Sequence, residues 1–220
     1  MLGMGKPTYD ISISELESKF KSLQRLVHPD RFTTKTKQEQ SYSSQHAMSL
    51  NSAYTTLKDP LARGRYLLYL RDPSLLRAGA VKEKPEVLAE ILEIREEIDS
   101  AISILKAQGA YVTAENDTPM SAQAMQNNPE VVEAIQRLIN VYLNNQRQMK
   151  SLENKLKKAF DLGMNKKAAQ YLSRMSYLCS IEVEVKAHVP WDALAAAIQA
   201  SKPSSSSDST TDASPSSKSN

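Results

Sequence analysis

Few side chains in this sequence can do chemistry, and their spacing narrows what that chemistry is. His28, Pro29 and Asp30 are consecutive, which sets an imidazole and a carboxylate on either side of a ring that fixes φ and donates no N–H. Such a corner can act as an acid–base pair, serve as a recognition point, or simply end a helix. An acid–base site needs a nucleophile or a substrate cradle, and the chain carries no glycine-rich phosphate loop and no nucleophile constellation. His28, His46 and His188 are too dispersed for a metal-ligand pattern, and Cys179 is the sole cysteine, so neither a disulfide within the chain nor a multi-cysteine metal site can form. No metal and no cofactor are expected, and the chain is not expected to be an enzyme. Cys179 falls on an apolar helical side, where a buried inert thiol is the expectation.

The triplet sits between two helical patterns. Over 12–28, Ile13, Leu16, Phe20, Leu23 and Val27 recur at spacings of three and four, one apolar stripe of a helix. Ser12 with Glu15 predicts a capping box, and Pro29 disfavours helix at His28 and ends the run. Lys19, Lys21 and Arg25 lie on this helix; they form either a solvated face or positive charge that steers towards an acidic partner. A second helix is predicted over about 38–58, with Ala47, Leu50, Tyr54 and Leu57 as its stripe, so the two should pack as an antiparallel hairpin. Asp59-Pro60 restarts the chain as N-cap and first helical residue, giving a short helix to about Leu70. Residues 71–84 read as a linker.

Beyond the linker the pattern is again helical: 85–108, 129–162 and 166–187, resuming after Pro190 to Ala200. These predict an antiparallel three-helix bundle over 85–200, interrupted by a polar, aperiodic, flexible insertion at 109–128, and a cap at Gly163. Residues 201–220 are almost all Ser, Lys, Asp, Thr and Pro, a composition that cannot bury apolar area and predicts a disordered tail. The fold class is all-α, with an N-terminal domain over 1–70.

Set on a helix between two such elements, Leu26-Val27-His28-Pro29-Asp30-Arg31-Phe32 resembles the J-domain signature, and Asn51 to Pro60 also matches J-domain usage. Pro60-Leu61-Ala62-Arg63-Gly64-Arg65-Tyr66-Leu67-Leu68 and Leu92-Glu93-Ile94-Arg95-Glu96-Glu97-Ile98 resemble the HscB-type iron–sulfur co-chaperone family. The similarity covers roughly residues 7–105 well and 129–187 loosely. It implies that His28, Pro29 and Asp30, with Lys19, Lys21 and Arg25, contact the ATPase domain of a DnaK-type chaperone (heat shock protein 70 class) and stimulate its ATP hydrolysis. It also implies that the bundle holds an iron–sulfur cluster scaffold protein for cluster transfer. The short 71–84 connector points to a J domain and bundle arranged as an L. The family's J domain opens with a short aromatic-rich helix before the equivalent of Pro7. Only Met1 to Lys6 stand there, so that first helix is read as truncated. The resemblance further implies the mitochondrial matrix; the chain shows no presequence, and the cytoplasm is the alternative.

Periodicity finds a second surface without the family. At about 100° per residue, Val87, Ile91, Ile94, Ile98, Ile102 and Leu105 share the predicted core side of their helix, while Leu88 and Leu92 fall outside it beside Glu93 and Glu96. Between 83 and 99 seven acids stand against Lys84 and Arg95, a net of −5. On the last long helix, Tyr177 points away from a predicted core side of Ala168, Tyr171, Met175 and Cys179. Apolar anchors with a charged rim suit a protein-binding surface. The family's scaffold-binding positions match Leu88, Leu92, Glu93, Glu96 and Tyr177, while Ala89 replaces a larger apolar residue and Ser100 an acid.

Overall net charge is +3, too small to argue for nucleic acid, and no apolar stretch reaches the roughly 18 residues of a membrane span. The exception is 147–167, with seven bases against two acids. A solvated basic side is the ordinary meaning of such a run, with RNA or anionic lipid the lesser alternative; no nucleic-acid and no membrane partner is expected. A rival to the chaperone reading is an all-helical adaptor for protein or RNA whose J-like hairpin no longer activates a chaperone.

Overall fold

The computed structural model describes residues 7–77, 79, 82–110, 128–189 and 191–200. Regular structure among them is helical throughout: α1 (Ile13–Val27), α2 (Lys37–Lys58), α3 (Pro60–Arg71), α4 (Pro85–Ala107), α5 (Pro129–Asp161), α6 (Asn165–His188) and α7 (Trp191–Ala200), with 3-10 turns at Pro29–Phe32 and Pro73–Leu76. The all-α expectation therefore holds. Most of the insertion (111–127) and all of the serine-rich tail (201–220) lie outside the described residues.

Helix ends follow local chemistry, with one correction. Ser12 caps α1 by accepting from the Glu15 N–H at 3.2 Å, but the return half of the expected box does not form. The Glu15 carboxylate instead pairs with Lys19 at 2.7 Å, because residues four apart meet on the helix surface. The complete capping box lies at α2, where Thr36 Oγ1 accepts from the Glu39 N–H and the Glu39 carboxylate accepts from the Thr36 N–H at 2.9 Å. Asp59 caps α3 through the Ala62 N–H at 2.7 Å, with Pro60 in the first turn. Gly163 turns the chain at φ 69°, the left-handed conformation a glycine adopts without a Cβ penalty.

Two cores result. The α1–α2 hairpin closes over Leu16 and Leu50, with Phe20 stacked on Tyr54 at 4.0 Å between ring centroids. The larger core joins α4, α5 and α6, and α3 contributes Leu67 and Leu68 to it. α6 is the central helix, touching α3, α4 and α5. Asn145 Nδ2, buried on α5, donates to the Leu178 carbonyl of α6 at 2.9 Å. The segment before α1 also reaches this core: Tyr9 stacks on Phe160 at 5.4 Å, beneath the Arg63 guanidinium.

Gly64 makes the α3–α6 approach possible. A Cβ there would sit 2.4 Å from a Leu172 methyl and 3.3 Å from the Tyr9 ring. Gly64→Val is expected to cost about 2 kcal/mol by overpacking and lower Tm by about 4–8 °C. Combined with Leu172→Ala, itself costly because Leu172 is buried in the core, the loss should be smaller than the sum of the two single losses, a favourable coupling that a double-mutant cycle on thermal melts would detect.

Candidate partner-binding surfaces

The first surface is built by the loop that leaves α1. His28, at φ −64° and ψ 127°, breaks the helix, and its Nδ1 accepts from the Asp30 N–H at 3.3 Å. With Nδ1 engaged as an acceptor, the neutral imidazole carries its proton on Nε2. The Asp30 carboxylate lies 3.5 Å from Nδ1, and the two side chains are 48% and 86% exposed, so neither is consumed by the fold.

Surrounding bonds stiffen this corner. Arg31 Nη1 donates back to the Arg25 carbonyl at 2.9 Å, Thr33 Oγ1 to the Asp30 carbonyl at 3.2 Å, and Ser43 Oγ of α2 to the Val27 carbonyl at 2.8 Å. Gln40 Nε2 closes the loop on the Thr33 and Lys35 carbonyls. These bonds occupy carbonyls of the last turn of α1 and the loop, groups otherwise left open at a helix end.

The three bases on α1 do not act as one group. Lys21 and Arg25, four residues apart, are exposed on one face that runs to the loop. Lys19 leaves on another side and is held by Glu15. At 100° per residue Lys19 stands well away from the other two.

The second surface lies along α4 and α6, which run parallel. Glu90 accepts from Arg174 at 2.7 Å, while Arg95 donates to Ser180 at 3.1 Å and approaches Glu184 at 3.5 Å. These bonds join residues 84, 85 and 89 apart in sequence, so Leu92 stands level with Tyr177. Leu88 and Leu92 are 41% and 60% exposed, and Glu93 and Glu96 are exposed beside them.

Tyr177 is half-buried, where the sequence led to an exposed ring. The reason is the position of α6. With α3, α5 and α4 all against it, α6 has no single core side. Tyr177 falls one turn from Arg174 and one turn from Ser180, between the two polar bridges to α4. Cys179, expected to be buried, is also intermediate, and desolvation pushes its thiol up, which keeps it protonated and unreactive.

Sequence reasoning missed Val183, 70% exposed on α6 one turn beyond Ser180. The available signal was its place in Glu182-Val183-Glu184, an apolar residue between acids and off the core stripe. Among the described residues no group of three or more His, Cys, Asp or Glu is placed to hold a metal ion, and no helix is long and apolar enough to cross a membrane.

No protein-family model matches the chain. It is 30% identical over 179 residues to the mouse (Mus musculus) iron–sulfur cluster co-chaperone protein HscB, covering 81% of this chain and 63% of that protein. It is 35% identical over 114 residues to a co-chaperone protein HscB homologue of Vibrio cholerae, covering 52% of this chain and 66% of the relative. The chain thus spans just under two thirds of these curated relatives. The crystal structure of the human co-chaperone protein HscB superposes with a TM-score of 0.58 at 27% identity, over 83% of this chain and 78% of that one.

Proposed function

Because this chain belongs to the HscB-type co-chaperone family, we propose that it stimulates the ATPase of a DnaK-type chaperone through the α1–α2 loop and delivers an iron–sulfur cluster scaffold protein to it. The cluster is cargo carried by that scaffold. The chain itself contributes two docking surfaces and no reaction chemistry.

The observation that carries this reading is the exposed His28–Asp30 corner, ordered entirely by bonds within its own hairpin. A loop held so firmly loses little conformational freedom when a partner docks. Lys21 and Arg25 add positive charge beside it, which favours encounter with an acidic partner face. Leu88, Leu92 and Tyr177, rimmed by Glu93 and Glu96, have the composition of an apolar anchor with a charged border. That composition supports the scaffold as the second partner. The two surfaces belong to different helices, so both proteins can be held at once.

Pull-down with the purified chain tests the assignment. Retention of both a DnaK-type ATPase domain and a cluster scaffold protein is expected. Scaffold binding without any chaperone binding would favour the adaptor reading, and retention of neither would remove both.

A further inference from the structure

The geometry points to the turn between α5 and α6 as a docking tip for an anionic lipid surface. Leu162 at this turn is 73% exposed and Met164 39%; Leu162 is the most exposed large apolar residue among those described. Gly163 makes the reversal, with its own N–H bonded to the Phe160 carbonyl at 3.2 Å and the Met164 N–H bonded to the Ala159 carbonyl at 2.8 Å. Such a cap commonly packs an apolar residue after the glycine, the place of Met164, back on its helix; it asks for no apolar side chain at Leu162. The same bonds hold the apex in one conformation.

Cations surround it. Lys155, Lys158 and Leu162 recur at spacings of three and four, which places them on one face of α5. Lys166 and Lys167 are exposed in the first turn of α6, where the positive end of the helix disfavours them. That turn has neither an acid nor a side-chain cap to offset the cost. Among the described residues none of these four lysines lies within ion-pair distance of a carboxylate, whereas Lys157 is taken up by Asp10. Asp161 is the only acid between 155 and 167. Arg71, donating to the Phe160 carbonyl at 2.6 Å, adds a further cation at the same end of the molecule.

An apolar apex ringed by unpaired lysines matches a surface with anionic headgroups above an apolar interior. A nucleic acid would use the lysines but gain nothing from Leu162, and the tip offers no aromatic platform for bases. The inference is independent of the chaperone and scaffold surfaces. It goes beyond the expectation of a solvated basic side by naming the apolar residues that stand among the charges.

Flotation of the full chain with vesicles decides it. Binding is expected to vesicles of phosphatidylcholine with phosphatidylserine and not to phosphatidylcholine alone, weakening as salt is raised. Lys166→Glu with Lys167→Glu should lower affinity about tenfold or more, and Leu162→Ser with Met164→Ser should lower it comparably. Leu88→Ala with Leu92→Ala should leave it unchanged. Absence of binding to the mixed vesicles, or binding indifferent to Leu162 and Met164, overturns the proposal. In the second case the lysines make only a general contact with polyanions, RNA included.

Discussion

Replacing His28 with Gln is expected to abolish stimulation of a DnaK-type chaperone's ATPase while leaving scaffold binding intact. The imidazole is held by one bond, from the Asp30 N–H to Nδ1, and its side chain is 48% exposed. Glutamine replaces a rigid, oriented ring with a flexible chain, so the donor presented to the partner loses its fixed direction. Stability should change by less than about 1 kcal/mol, because the side chain is half exposed and the remaining loop bonds, from Arg31, Thr33 and Ser43, do not involve it. Single-turnover ATP hydrolysis by the partner, with and without the variant, gives the readout. A fall of about tenfold or more is expected, and a variant as active as its parent would remove the His28 corner from the mechanism.

The triple change Leu88→Ala, Leu92→Ala and Tyr177→Ala should do the reverse. Leu88 and Leu92 keep 41% and 60% of their surface in solvent, so each has apolar area to bury on docking. Truncating an interface anchor costs about 1–2 kcal/mol, and three together on the order of a hundredfold or more in scaffold affinity. Tyr177 will account for part of any stability loss, since its half-buried ring lies between the bridges joining α4 to α6. Leu88→Ala with Leu92→Ala alone separates the two effects, because both leucines stand outside the core and their loss should leave Tm nearly unchanged. Isothermal titration with the scaffold measures the affinity. Unaltered binding by the double variant would move the scaffold site elsewhere, and chaperone stimulation should survive in both variants.

The amino-acid sequence alone determined the helices, their caps at Ser12, Asp59 and Gly163, the hairpin around His28-Pro29-Asp30, and the outward position of Leu88 and Leu92. These features rest on interactions within a few residues: periodicity, a proline, a side chain bonding three positions on. Tertiary structure alone decided that Tyr177 is half covered and that α3 shares the bundle's core through Leu67, Leu68 and the missing Cβ of Gly64. It also decided that Leu162 and Met164 crown a basic end. The reason is common to all three. Whether a side chain is buried, paired or exposed depends on which surfaces of other helices reach it, and α6, packed on three sides, carries no local pattern that says which side remains open.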